Sequence, residues 1–308
     1  MDLLETLQLF RWTVVAALAA GLALPLVGSF LLLRRSGFHG VVLPQVATGG
    51  VALGYALLPW WIAEVGWFAE PLSRALEEPH AAAGLLLVCA GLATALCLLA
   101  LQRGRRSATP ESARLAGWLA GAWGATILLG SASPTGTEWI DGLLRGELLG
   151  LDVHDVEVLL GCLGVSAALL CWRWRARVLC CLDPRAAQVL GQGPARREAE
   201  FSLALGLATA SSALIVGPLV SFALLVLPPL AAHARARSLA PFFLLSSAYG
   251  LASAALGLVL AFGADLPVGA SLAAAGATLV LLSRAWPGRS KGLPAAPGGA
   301  GAAPARSS

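Results

Sequence analysis

The sequence predicts an all-α protein that crosses a membrane many times, and three observations predict it. Of 308 residues, 57% are hydrophobic and only 12% charged, about half the charge of a water-soluble domain. Mean hydropathy is +0.77, and several apolar runs reach the ~20 residues that span a bilayer as a helix. Those runs are continuous rather than alternating, which favours helices over a closed barrel.

The apolar runs occupy Trp12–Leu33, Val41–Ile62, Ala81–Leu101, Leu115–Gly130, Val156–Trp172, Phe201–Ala232, Pro241–Phe262 and Leu266–Ser283. As one helix, 201–232 would be about 48 Å long, against a hydrocarbon core of ~30 Å. Its middle reads "IVGPLVS", and Gly217-Pro218 interrupts a helix. Splitting it into Phe201–Val216 and Leu219–Ala232 gives about nine transmembrane segments, or eight if 201–232 is one span.

Charge decides the count and the orientation. Nine segments with an outward N-terminus leave only Arg11, Arg74 and Arg145 outside, so 18 of the 21 basic residues share one side. The positive-inside rule makes that side cytoplasmic. Eight spans would carry Arg235, Arg237 and the basic tail outward. The acidic start "MDLLETLQLF" lacks a basic leader region, so the first run is expected to be a retained helix. Residues 1–286 are expected to form a single transmembrane domain, and 287–308, rich in Pro, Gly, Ala and Ser, a disordered cytoplasmic tail.

Six cysteines form no C-x-x-C and no zinc-ligand spacing with histidine, so they are expected as small apolar packing residues. No G-x-x-x-x-G-K-[ST], H-E-x-x-H or G-x-S-x-G motif occurs, so the chain is not expected to be an enzyme. Neither a cofactor nor a nucleic-acid partner is expected.

Two non-spanning stretches stand out. Outside, residues 137–155 mix apolar pairs with acids and are expected along the surface. Inside, residues 173–200 form the longest cytoplasmic loop, and "DPRAAQVLG" within it carries helix signals at both ends. Asp183 reads as N-cap, Pro184 as the first helical position before Arg185, and Gly191 as the stop.

Within the second run, Gln45, Thr48 and Gly49 lie at i, i+3 and i+4 on one helical face. A polar group facing lipid is costly, so that face should meet protein or a water-filled path. Gln45 either lines that path or hydrogen-bonds a neighbouring helix as structural glue. Pro44 is expected in the first turn, where proline is tolerated. "GVALG" (50–54) is a small-residue pair for close helix packing. Asp265 reads as an outer N-cap before the last helix. His39 and His233 are expected at the cytoplasmic boundary.

Several stretches together resemble one family, the membrane permease subunits of zinc/manganese-type ABC importers. They are "GSFLLLRRSGFHGVVLPQVATGGVALGYAL", "LLRGELLGLDVHDVEVL", "CLDPRAAQVLG", "IVGPLVSFALLVLPPLAAHARAR" and "DLPVGASLAAAGATLVLL", in order across residues 28–283. The resemblance implies an ABC importer permease fold in a bacterial plasma membrane, working as a homodimer. It implies cytoplasmic ATPase subunits, an extracytoplasmic substrate-binding protein, and a divalent metal ion (zinc, manganese or iron class) or metal chelate as cargo. The missing phosphate loop agrees that ATP hydrolysis belongs to a partner. Asp183, Pro184, Arg185 and Gly191 then bound the candidate ATPase-coupling helix.

One departure matters. The family pattern D-A-L-S-H-A-V-L-P-G reads "VVLPQVATGG" here, with Val41 for the Asp and Gln45 for the His. Valine offers no ligand and a carboxamide only a weak one. The metal-binding residues are therefore not carried over. A transport-impaired or regulatory relative on the same scaffold stays open, as does a different cargo such as a chelate. Gln45, Thr48 and Gly49 remain the candidate lining of the translocation pathway.

Overall fold

In a computed structural model of the chain, residues 10–64, 83–104, 108–131, 142 and 151–285 are described. Most of the 137–155 stretch expected along the outer surface, the N-terminal nine residues and the 287–308 tail lie outside them. The described secondary structure is helical throughout: α1 (Arg11–Leu33), α2 (His39–Glu64), α3 (Ala83–Arg103), α4 (Glu111–Ser131), α5 (Val153–Cys171), α6 (Trp174–Leu182), α7 (Pro184–Val189), α8 (Pro194–Ile215), α9 (Pro218–His233), α10 (Leu239–Ala264) and α11 (Val268–Ala285).

Six of these (α1, α2, α3, α5, α10 and α11) are long and apolar enough to cross a membrane. The remaining expected segments coincide with α4, α8 and α9. The last has 16 residues and is about 24 Å long. Helix ends commonly overrun the apolar runs because polar turns continue past them. α8 begins seven residues before Phe201: Gly193 adopts φ 58° as its N-cap and Pro194 opens the first turn.

Helix α2 is the axis of the bundle, with 78% of its span buried against 33% for α3, α5 and α10. α3 and α4 both pack along it, while α1, α9, α10 and α11 pack with one another on the other side. α8 joins the two groups, touching α2, α3 and α5, and α5 leans on α1. One continuous apolar core runs through all of them, from Ala16 on α1 to Leu272 on α11.

In a membrane, tight packing rather than water exclusion holds helices together, so small residues mark the contacts. Gly21 on α1 and Gly250 on α10 face each other, and a Cβ at Gly21 would lie 2.8 Å from the Gly250 carbonyl. In "GVALG", a Cβ at Gly50 would lie 2.6 Å from the Cys89 carbonyl, and one at Gly54 2.8 Å from Leu86. Serines on α10 add hydrogen bonds between helices. Ser247 Oγ donates to the Leu22 carbonyl at 3.1 Å and Ser253 Oγ to the Leu272 carbonyl at 3.0 Å. All six cysteines are free.

Two expectations need correction. Asp265 is not an N-cap; it closes α10 in the left-handed region (φ 54°), its N–H bonded to the Ala261 carbonyl. Aspartate tolerates that conformation better than most residues. Pro44 is not in a first turn either. α2 starts at His39, so Pro44 is its sixth residue and removes the N–H that would have bonded the Gly40 carbonyl.

Candidate functional site

The first candidate site is the polar face of α2. Thr48 is fully buried, and its Oγ1 donates to the Pro44 carbonyl at 3.0 Å, so its hydroxyl is satisfied within its own helix. Gly49 faces α4, where a Cβ would touch the Ala122 carbonyl and Thr126 Oγ1 at 3.5 Å. Gln45 is 5% exposed, and its Nε2 is buried without a hydrogen-bond partner among the described residues. A carboxamide acting as glue would donate to a neighbouring helix. This one leaves that donor free, at a cost of roughly 1–3 kcal/mol for a buried unsatisfied group. His, Cys, Asp and Glu do not gather in threes among the described residues.

Gly49 borders an apolar groove between α3 and α4. A separate polar pocket of about 190 Å³ lies at the start of α2, lined by Arg34, His39, Gln102, Glu111, Glu198 and Ser202 among others. There Arg34 pairs with Glu198 and stacks 4.4 Å from the Phe201 ring centre. His39 Nε2 stands 3.5 Å from Glu111 Oε1, and Gln102 Nε2 donates to Ser202 Oγ at 3.1 Å.

The second candidate site is α7. Asp183 adopts extended backbone and its carboxylate accepts from Arg185 N–H at 3.0 Å and Ala186 N–H at 2.9 Å. Pro184 opens the helix. At the other end Gly191 takes φ 68°. Its N–H bonds the Gln188 carbonyl at 3.0 Å and the next N–H, of Gln192, bonds the Ala187 carbonyl at 2.9 Å. That is the paired closure of a Schellman motif, which favours glycine. Six residues are too few to hold a helix alone in water, so these two caps define it. It presents Val189 at 87% and Leu190 at 63% exposure, an apolar pair that nothing among the described residues covers. Sequence reasoning bounded this helix but did not single out that pair.

Sequence reasoning also missed what holds α7 in place. α7 packs on α6, and α6 is anchored by Arg177, which is 1% exposed. Its Nη2 donates to the Leu169 carbonyl of α5 at 2.7 Å and to Glu200 Oε2 of α8 at 3.0 Å. Arg197 Nη1 reaches the same oxygen at 2.7 Å, and Arg196 Nε reaches Oε1 at 3.1 Å. Burial lowers the Arg177 pKa and the Glu200 charge raises it again. The i, i+3 and i, i+4 spacing of Arg197 and Arg196 to Glu200 was legible; Arg177, from another helix, was not.

The third feature is the junction of α8 and α9. α8 ends at Ile215, and Gly217 takes φ 89° and ψ 156° before Pro218 opens α9. Only glycine adopts that conformation readily. The junction is buried, where irregular backbone at membrane depth must lie.

A sequence profile of the ABC 3 transport family matches residues 6–286. The chain belongs to that family. Among its relatives, the manganese import system permease protein ScaB of Streptococcus parasanguinis is 25% identical over 292 residues, covering 92% of each chain. The ScaB of Streptococcus pneumoniae is 25% identical over 285 residues with the same coverage. The fold matches PsaBC from Streptococcus pneumoniae in complex with Fab, with a TM-score of 0.74 at 20% identity over 91% of this chain and 93% of that one. A transporter described as an ABC transporter of metal-chelate type matches with a TM-score of 0.59 at 18% identity, covering 92% and 89%. This ABC 3 chain is thus a multi-pass membrane protein with the fold of an ABC transporter membrane subunit.

Proposed function

We propose that the chain is the permease subunit of an ABC importer for a divalent metal of the manganese class or its chelate. Separate cytoplasmic ATPases power it, an extracytoplasmic binding protein supplies it, and two copies form the path. The family match over nearly the whole chain carries this reading, and the manganese-importing relatives support the cargo class. Nine segments, with α4, α8 and α9 crossing as well, follow from the charge asymmetry and turn α7 to the cytoplasm. A cysteine introduced at Arg235 that an impermeant thiol reagent labels from outside sinks that orientation.

Coupling runs through α7. Val189 and Leu190 fit an apolar pocket on an ATPase, and burying each stabilises contact by roughly 1.5–3 kcal/mol. Changing both to glutamate is therefore expected to weaken ATPase co-purification at least tenfold. Both caps remain, so the yield of folded permease should stay normal. Undiminished co-purification would show that the ATPase docks elsewhere.

Path lining by Gln45 has its own test. With Nε2 unpartnered, Gln45→Leu removes no hydrogen bond from that atom and should leave the melting temperature unchanged or slightly raised, while uptake falls. A lower melting temperature with normal uptake per folded molecule would assign Gln45 to helix packing instead.

One observation favours the second reading, a transport-impaired or regulatory relative: Val41 and Gln45 stand where carboxylate and imidazole are the expected ligands. Reconstitution with its ATPase and binding protein separates the two. Manganese-stimulated ATP hydrolysis and uptake support the importer. ATP hydrolysis indifferent to manganese, with no uptake of the ion or its chelates, supports the regulator.

A further inference from the structure

An apolar groove of about 590 Å³ runs between α3 and α4. Both helices pack along α2, yet they touch each other little, so the groove opens sideways. Its α4 wall is cut by Gly117 and Gly121, where an added Cβ would meet nothing within 4 Å. The lining runs along α4 from Arg114 to Leu129, roughly 22 Å at helical rise, against ~15 Å for half the hydrocarbon core. The groove is long enough to take the hydrocarbon depth of one leaflet.

Arg114 is the one charged residue among the described lining. Its Nη1 donates to the Leu101 carbonyl at 3.4 Å, and its Nε is buried with no hydrogen-bond partner. Arg103, exposed, stands at the same end of α3. The described lining holds no carboxylate or imidazole, so it offers nothing to a metal cargo. A cation at the mouth of an apolar slot of leaflet depth is complementary to one chemistry, an acyl chain carrying an anionic headgroup.

We propose that this groove holds one acyl chain of an anionic phospholipid from the cytoplasmic leaflet, with its phosphate on Arg114. The placement of Arg114 at the cytoplasmic side rests on the orientation given above. The lipid would wedge α3 and α4 apart and fill the space beside Gly49 and Gly50 on α2.

The test uses the purified full chain in mild detergent containing equal phosphatidylglycerol and phosphatidylcholine of matched chains, with retained lipid read by native mass spectrometry. Wild type is expected to keep about one phosphatidylglycerol per chain, favoured roughly fivefold, the effect of one cation at an anionic surface. Arg114→Gln should keep lipid but lose the preference. Gly121→Leu, which fills open space, should lose most of the lipid at an unchanged melting temperature. Wild-type phosphatidylglycerol retention in folded Gly121→Leu would overturn the proposal. So would an interchain disulfide from Gly121→Cys in membranes, which would seat a second copy in the groove. The readout is lipid rather than transport, so either outcome leaves the importer assignment to its own experiment.

Discussion

Replacing Gly28 with valine is expected to leave almost no folded protein. On α1, Gly28 lies against the backbone of α9, and a Cβ there would fall inside the Leu225 carbonyl, with Pro229 Cγ at 3.1 Å behind it. A clash with a flexible side chain relaxes by rotation; a clash with a helix carbonyl relaxes only by moving the helix. α9 packs on α1, α10, α11 and α2 together, so no small shift of it is free of cost. Overpacking a core side chain costs typically 1–3 kcal/mol, and this contact, backbone to backbone, belongs at or beyond the upper end. Gly28→Ala should lower the melting temperature measurably and Gly28→Val should abolish the monodisperse chromatographic peak. Gly117→Ala, with nothing within 4 Å of its added methyl, is the matched change expected to be neutral. A wild-type melting temperature for Gly28→Val would mean that α1 and α9 do not approach as described.

The contrast between Gly28 and Gly117 also shows what could be read from the chain alone. Apolar runs locate helices because lipid demands about twenty apolar residues in a row. Which glycine is a contact and which borders a groove depends on the neighbouring helix, which the run does not name. The same holds on the face of α2. Helical spacing put Gln45, Thr48 and Gly49 together, yet Thr48 bonds its own backbone, Gly49 turns to α4, and Gln45 keeps a free donor.

Local chemistry was legible where it is self-contained. Asp183, Pro184 and Gly191 bound α7 through contacts within nine residues, which the sequence spells out. Pro44 and Asp265 misled for the same reason in reverse. Each has a common meaning at a helix start, but α2 begins two residues before its apolar run, and Asp265 ends a helix instead of starting one. Apolar patterning does not resolve polar first and last turns, so errors gathered there.

The ion cluster around Glu200 carries the other large effect. Arg177 is buried with its charge answered by one carboxylate, while its Nε and Nη1 have no partner among the described residues. Glu200→Ala leaves that guanidinium in a low-dielectric site with only the Leu169 carbonyl. Removing one partner of a buried pair costs about 3–5 kcal/mol, and because the Glu200 side chain is 22% exposed the lower end applies. A fall in melting temperature on the order of 5–10 °C is expected. Function should suffer more than stability. α7 rests on α6, and the Arg177–Glu200 bond is what ties α6 to α8, which leads to the Gly217–Pro218 junction. On the coupling proposed above for α7, an ATPase docked on Val189 and Leu190 would still bind and hydrolyse ATP with the tie cut, but its movement would stop at α6, so uptake per ATP should collapse. The combined change Arg177→Met, Arg197→Met and Glu200→Leu separates the two effects. It removes both buried guanidinium groups together with the carboxylate they share, which is often neutral or stabilising, and should restore the melting temperature. If the tie transmits force by packing, uptake returns with it; if it needs the ion pair, uptake stays low. An unchanged melting temperature and normal coupling in Glu200→Ala would show that the cluster holds nothing together.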